Sequence, residues 1–160
     1  SGKYIDMILK YVPKNKIYGI LGNHDEFGVL ESREIQNIHR KLIEINGITF
    51  LGFEGSNRYK IGNFPMYTQK EAKKILMKCL KADILLTHDS PYKLYSSGKD
   101  LAHCGLKAIS KYIKKYKPKF NIHGHQHINS TKILKSGTNI ICIYRASIIN
   151  TETKDRTFIF

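Results

Sequence analysis

Polar side chains with the chemistry of metal ligands follow an apolar segment early in the chain. The run Ile17–Leu21 ends at a glycine, and three polar residues come directly after it: Asn23, His24 and Asp25. A buried strand that ends in a glycine turn and polar groups is a common construction of an active-site loop. The amide of Asn23 offers a neutral oxygen ligand, and the imidazole of His24 can hold or give a proton near neutral pH.

Two later segments repeat this arrangement of an apolar run followed by histidine. One run leads to His88, and a second leads to a cluster that contains His125 and His127. Because the carboxyl ends of parallel strands meet at one edge of a sheet, we expect these imidazoles to lie close to Asn23. A set of nitrogen and oxygen ligands without thiolate suits manganese, iron or zinc, and the sequence does not choose among them.

The remaining histidines have simpler interpretations. His123 is expected to point away from the ligands and to have a structural role. His39 and His103 belong to no pattern, and both are expected to be surface or loop residues. Since a lone histidine in a loop is often only a hydrogen-bonded structural residue, the metal-site prediction depends on the coincidence of three segments.

Apolar residues recur at helical spacing in three segments of the chain. The middle segment opens with Thr68 and Glu71, a pair that makes a capping box at a helix start. Prolines follow the first and third segments and end them. The predicted helices cover residues 3–12, residues 68 to about 81, and residues 105–117.

Runs of β-branched and aromatic residues predict strands between and after the helices. Asn46-Gly47 between two such runs is the strongest short-range signal for a hairpin. The order of elements indicates an α/β layered protein with a β-rich C-terminal part, in a single domain over residues 1–160. The expected strands cover residues 16–21, 41–45, 48–53, 83–87 and 120–122, followed by antiparallel strands at 131–134, 139–144, 146–149 and 157–160.

Composition and charge narrow the function classes. The 160 residues carry a formal charge of +14, but lysine greatly outnumbers arginine and the basic residues are spread along the chain. A nucleic-acid-binding module favours a clustered basic footprint, so nucleic acid is expected only as a substrate. No apolar run reaches the ~20 residues of a membrane span, and no membrane association is expected. Cys79, Cys104 and Cys142 fit no zinc pattern, which predicts reduced thiols and a cytoplasmic protein.

Three short motifs together resemble a known family. The segments Gly22-Asn23-His24-Asp25, Thr87-His88-Asp89-Ser90-Pro91 and Gly124-His125-Gln126-His127 resemble, in order and spacing, the last three motifs of the calcineurin-like metallophosphoesterases. The resemblance extends from the first helix to about Ile149. It implies a β-sandwich flanked by helices, with two metal ions held at the strand ends.

The resemblance also implies roles for the matching residues. His127 would bind the first metal ion, and His24 would protonate the leaving-group oxygen or steady the transferring phosphoryl group. Asp25 would orient His24 or brace the loop. The implied reaction is hydrolysis of a phosphate ester by a water activated between two divalent ions. The implied ligands of the second ion are Asn23, His88 and His125.

The first two motifs of the family, an Asp-x-His and a Gly-Asp, are absent from the chain. In the family these two motifs supply the carboxylate that bridges the two metal ions. They also supply the other protein ligands of the first metal ion. We therefore expect a fragment that lacks the N-terminal βαβ unit and holds one divalent ion weakly. Exposed strand edges in such a fragment would favour dimerisation.

Three functions remain open at this point. The favoured one is a metal-dependent phosphoesterase that acts on a phosphate-ester substrate. The second is a non-catalytic scaffold or binding module of the same fold, and the third is a basic nucleic-acid-binding module. Loops at residues 55–60 and 93–104 are expected to set specificity, and Arg58 in the first is suited either to phosphate or to a surface turn.

Overall fold

The computed structural model describes residues 2–96 and 100–159. Within these ranges helices are interspersed among strands up to His123, and only strands follow. The predicted loop at residues 93–104 and the predicted strand at residues 157–160 extend in part outside the described ranges.

The helices of the described chain are short, and most of its strands have two to four residues. The α-helices are α1 (Gly2–Leu9), α2 (Gln69–Leu76) and α3 (Lys107–Tyr116), with 3₁₀ turns at Lys14–Lys16 and Glu31–Arg33. The strands are β1 (Tyr18–Gly19), β2 (Gln36–Asn37), β3 (Leu42–Ile45), β4 (Ile48–Phe53), β5 (Ser56–Asn57), β6 (Met66–Tyr67), β7 (Ile84–Thr87), β8 (Phe120–His123), β9 (Ser130–Ile133), β10 (Asn139–Cys142), β11 (Ser147–Ile149) and β12 (Arg156–Phe158).

Six strands form the central sheet in the order β3-β4-β7-β8-β10-β9. The four inner strands are parallel, and the two edge strands are antiparallel to their neighbours. The parallel β1–β2 ladder extends this layer through a bridge between His39 and Gly52, where the Arg40 N–H donates to the Gly52 carbonyl at 2.8 Å. The carboxyl ends of β1, β7 and β8 therefore point to the same edge.

Both faces of the central sheet are covered by apolar side chains. On one face, Leu76 of α2 and Tyr112 of α3 share a buried cluster with Leu85 of β7. On the other face, Phe120 of β8 is buried, and Ile149 of β11 packs against its cluster. A sheet with apolar groups on both faces must be covered on both sides, so the chain folds in layers. The predicted α/β layered fold with flanking helices is confirmed.

Two local signals in the sequence are confirmed in detail. Asn46 and Gly47 both have positive φ, 51° and 77°, as the tight turn between β3 and β4 requires. At the start of α2, the Thr68 hydroxyl accepts from the Glu71 N–H at 3.2 Å. The Glu71 carboxylate accepts from the Thr68 N–H at 2.7 Å.

Two strand predictions need correction. The first strand is only Tyr18–Gly19 rather than residues 16–21, because the ladder with β2 has two residue pairs and the Leu21 carbonyl then accepts from the Gly55 N–H at 2.8 Å. The C-terminal strands are not all antiparallel. β10 pairs in parallel with β8 and antiparallel with β9, so it is an inner strand of the central sheet.

Helix bounds also differ from the prediction. The second helix ends at Leu76 rather than near residue 81, and Leu80 is 67% exposed, so a longer helix would bury little there. The third helix begins at Lys107, because Gly105 has a φ of +76° that a helix cannot contain. In the described residues the longest helix has ten residues, and none is long and apolar enough to cross a membrane.

Candidate metal centre

Backbone hydrogen bonds hold the ends of the motif-bearing strands together. The His88 N–H donates to the Phe53 carbonyl at 3.1 Å, and the Gly124 N–H donates to the His88 carbonyl at 3.2 Å. The Gly55 N–H donates to the Leu21 carbonyl at 2.8 Å, which joins the loop after β4 to the Asn23 motif. The three motifs predicted to converge therefore meet at one edge, joined by backbone hydrogen bonds.

Asn23 and His88 meet directly at this edge. Asn23 is 2% exposed, and its Oδ1 lies 2.8 Å from Nε2 of His88. Burial, together with the surrounding imidazoles, lowers the pKa of His88 to about 3. His88 is therefore neutral over the physiological range, which is the form that binds a metal ion.

His125 lies on the other side of His88. The centroids of the two imidazoles are 4.9 Å apart, and the His125 backbone has a φ of +66°. Nε2 of His125 donates to the Ala102 carbonyl at 2.7 Å, which leaves Nδ1 as the nitrogen with a free lone pair. A backbone carbonyl on one ring nitrogen is a frequent partner of metal-binding histidines.

His127 lies further out on the same loop. Its ring stacks on Tyr144 with centroids 5.7 Å apart, and it is exposed at the rim of the crevice. The backbone is left-handed at both His125 and His127, with φ of +66° and +54°. The two side chains of the H-x-H pair have different neighbours, His88 for His125 and Tyr144 for His127. His127 lines the crevice, and within the described ranges its ring makes no hydrogen bond to the other motif residues.

His24 points into the crevice from the first motif. Its Nε2 lies 3.4 Å from the Tyr59 hydroxyl, and its Nδ1 lies 3.5 Å from Nζ of Lys60. The Tyr59 hydroxyl also accepts a hydrogen bond of 3.0 Å from Nδ2 of Asn23. Tyr59 thus connects the predicted metal ligand Asn23 with the predicted catalytic residue His24.

Asp25 braces the loop. Its Oδ2 accepts from the Gly22 N–H at 2.7 Å, and its own N–H donates to the Gly22 carbonyl at 3.1 Å. Of the two roles that the resemblance left open for Asp25, this geometry favours the structural one. The side chain makes no hydrogen bond to His24 among the described residues.

The converging residues line an open crevice of about 470 Å³. Its walls come from the three motifs, from Tyr59 and from the loop at Ala102 and His103. A crevice of this size accommodates a small phosphate ester. Asp25 is one of its lining residues. The five motif side chains predicted to act there also line it: Asn23, His24, His88, His125 and His127.

The donor set fits one divalent ion better than two. Asn23 Oδ1 and His88 Nε2 lie 2.8 Å apart as a hydrogen-bonded pair, and a cation held by both atoms would take the place of this hydrogen bond. Within the described ranges, Asp25 is the one carboxylate that lines the crevice, and its Oδ2 already accepts a backbone N–H. Residues 2–96 and 100–159 hold no group of three His, Cys, Asp or Glu side chains placed for one ion. These residues therefore do not fit a bridged pair of ions.

His39 and His103 lie outside the named helices and strands, as a surface or loop assignment predicts, but the sequence did not indicate what surrounds them. His103 lines the crevice, with its ring 5.0 Å from that of His125 and its Nδ1 2.6 Å from an Asp100 oxygen. His39 lies in the segment between β2 and β3 and is only partly exposed, because its ring packs on Phe53 and Tyr67. Neither follows a recognisable motif, so only the tertiary fold reveals their surroundings.

Arg58 does not face the crevice. Its guanidinium pairs with Glu71 at 3.2 Å and donates to the Met66 carbonyl at 3.2 Å. Of the two predictions for Arg58, a phosphate contact or a surface turn, its position agrees with the surface turn. The next two residues, Tyr59 and Lys60, are the ones that reach His24, and nothing in the sequence pattern distinguishes them from Arg58.

Known proteins share this sequence pattern and fold. Residues 1–129 match the profile of the calcineurin-like phosphoesterase family. An uncharacterized protein of Methanocaldococcus jannaschii, MJ1162, is 30% identical over 152 residues, which are 88% of this chain and 70% of that protein.

Two crystal structures have a similar fold. One matches with a TM-score of 0.64 at 17% identity over 88% of this chain. The other, TT1561 of Thermus thermophilus, matches with a TM-score of 0.56 at 16% identity over 81% of this chain. The chain spans 61% of the length of each of these two proteins. The family match covers more than half of the chain, and the chain therefore belongs to the calcineurin-like phosphoesterase family, whose members generally bind divalent metal ions.

Proposed function

We propose that this protein hydrolyses phosphate esters with the help of a divalent metal ion. The observation that carries the proposal is the meeting of three distant motifs at one crevice, with His88 Nε2 2.8 Å from Asn23 Oδ1. A cluster of neutral nitrogen and oxygen donors beside a hydrogen-bond donor such as His24 is suited to phosphoryl transfer.

The residues of the crevice divide into two groups by role. Asn23, His88 and His125 would hold the ion through one amide oxygen and two imidazoles. A divalent ion bound there would supply positive charge to the phosphate oxygens as a Lewis acid. His24 would shift its Nε2 hydrogen bond from the Tyr59 hydroxyl to the leaving-group oxygen, while Nδ1 faces Lys60.

The electrostatic surroundings favour an anionic substrate. The chain carries a formal charge of +14, and Lys60 lies beside His24 at the crevice. The Lys60 ammonium also lies 4.1 Å from the centroid of the Phe64 ring, which fixes its position by a cation–π contact. A positive field of this kind raises the local concentration of phosphorylated molecules.

The test is an assay of the natural full-length protein with Mn²⁺ against p-nitrophenyl phosphate and bis(p-nitrophenyl) phosphate. We expect hydrolysis that chelation abolishes, and a His24→Gln variant with kcat lowered by about 10²–10⁴ and unchanged Mn²⁺ affinity. Hydrolysis that survives both chelation and the substitution would contradict the proposal.

One observation favours a second function, that of a non-catalytic scaffold with the same fold. The described residues lack a three-ligand cluster of His, Cys, Asp or Glu. A scaffold of this kind would not hydrolyse either model ester in full-length form, with or without Mn²⁺. The same assay therefore separates the two functions.

A further inference from the structure

The hydroxyl of Tyr59 occupies a central position in the crevice. It accepts from Nδ2 of Asn23 at 3.0 Å and lies 3.4 Å from Nε2 of His24. These two neighbours come from the first motif, whereas Tyr59 comes from the loop after β5. One hydroxyl oxygen is thus shared by two side chains to which the proposed function gives different roles.

Lys60 determines the direction of the hydrogen bond between Tyr59 and His24. An ammonium group can only donate, so Nδ1 of His24 accepts from Nζ of Lys60 at 3.5 Å. The ring proton of His24 is then on Nε2, and Nε2 donates to the Tyr59 oxygen. Both lone pairs of that oxygen are filled, and its own O–H proton has no acceptor among the described residues.

The loop that carries Tyr59 is anchored on both neighbouring motifs. The Gly55 N–H donates to the Leu21 carbonyl at 2.8 Å, and the Asn57 N–H donates to Oδ2 of Asp89 at 3.0 Å. Next to Tyr59, the Arg58 N–H donates to the Tyr67 carbonyl at 2.9 Å. These three backbone hydrogen bonds hold the main chain that leads to Tyr59 in place before any substrate arrives.

We propose that Tyr59 contacts the substrate and donates its hydroxyl hydrogen bond to a phosphoryl oxygen in the crevice. A phosphate oxygen accepts and does not donate, so it matches the one donor that the Asn23 and His24 contacts leave unused. This inference rests on the proposed function and adds a substrate-contacting residue outside the three motifs. A single donor to an anion contributes about a tenfold effect on affinity.

The experiment compares Tyr59→Phe with a matched control, Tyr18→Phe, in the natural full-length protein. Tyr18 lies on β1 at the partly exposed surface and does not line the crevice. Inorganic phosphate is titrated calorimetrically at saturating Mn²⁺, and Mn²⁺ is titrated alone. We expect phosphate affinity about tenfold weaker in Tyr59→Phe and unchanged in Tyr18→Phe, with Mn²⁺ affinity unchanged in both.

Two results would overturn the inference. Phosphate affinity that is equal in Tyr59→Phe and the unsubstituted protein would show that the hydroxyl does not contact phosphate. A loss confined to Mn²⁺ affinity would reduce Tyr59 to a residue that positions Asn23. Because phosphate binding is measured separately from hydrolysis, a protein without esterase activity would contradict the proposed function while the titration still decides the role of Tyr59.

Discussion

Nε2 of His88 lies 2.8 Å from Oδ1 of Asn23, although 65 positions separate the two residues in the chain. In this arrangement the imidazole donates and the amide oxygen accepts. A cation bound by both atoms would replace this hydrogen bond, because Nε2 must then offer its lone pair and the ring proton must lie on Nδ1. This hydrogen bond therefore uses the same two atoms that the family resemblance implies as metal ligands.

The brace role of Asp25 can be tested by a pair of substitutions. Asp25→Asn keeps an oxygen that can accept the Gly22 N–H, and we expect its free energy of unfolding to change by less than about 0.5 kcal/mol. Asp25→Ala removes the acceptor, with an expected loss of about 1–2 kcal/mol. Urea unfolding at pH 7 measures both, and an equal loss in the two variants would show that the charge of Asp25 matters rather than its oxygen.

Tyr67 supports the buried carboxyl group of Glu54, which directly follows β4. Its hydroxyl donates to Oε1 of Glu54 at 3.2 Å, and Oε2 of Glu54 is buried without a hydrogen-bond partner among the described residues. Tyr67→Phe removes this donor, and we expect a loss of about 1–3 kcal/mol in the free energy of unfolding.

A double-mutant cycle isolates that interaction. In a Glu54→Gln background the same Tyr67→Phe change should cost less, because no buried charge is left without its donor. The exposed substitution Tyr18→Phe serves as the control and should have little effect. An identical cost of Tyr67→Phe in both backgrounds would contradict the role assigned to its hydroxyl.

Buried histidines predict a loss of stability in acid. Burial lowers the pKa of His39 to about 4 and that of His123 to about 4, against an ordinary value of 6.5. Between about pH 6.5 and 4 the unfolded chain binds these protons and the folded chain does not. The free energy of unfolding should therefore fall as the pH falls through this window, by about 1.4 kcal/mol per pH unit for each net proton.

One buried carboxyl acts in the opposite direction. Burial raises the pKa of Asp89 to about 7, so the folded chain holds a proton there that the unfolded chain has lost above about pH 4. Burial lowers the pKa of His88 to about 3, so this residue adds to the loss of stability in acid that His39 and His123 cause. Urea unfolding at pH 7, 6 and 5 measures the slope, and His39→Gln should reduce it by about one proton. Stability that rises on acidification would contradict this balance.

Much of the site was predictable because its polar side chains follow strands. The order of apolar runs and polar ends in the sequence predicted that Asn23, His88 and His125 would meet, and the parallel strands β1, β7 and β8 bring them to one edge. The hairpin at Asn46-Gly47 and the capping box at Thr68 were equally local signals.

The rest of the site depends on loops, whose positions no periodicity encodes. Tyr59 reaches His24 because hydrogen bonds from Gly55 and Asn57 to other segments fix its loop. His103 lies beside His125 because the Ala102 carbonyl accepts a hydrogen bond from that ring. Such contacts join residues far apart in the chain and follow from packing rather than from residue type.

The central claim is that Asn23, His88 and His125 form a binding site for one divalent ion. Calorimetric titration of the 160-residue chain with Mn²⁺ tests it most directly, with His88→Ala as the variant and Tyr18→Phe as the control. We predict weak binding of one equivalent, lost in His88→Ala and kept in Tyr18→Phe, because three neutral donors cannot compensate the repulsion between two ions. Tight binding of two equivalents, or of one equivalent that His88→Ala leaves unchanged, would contradict it.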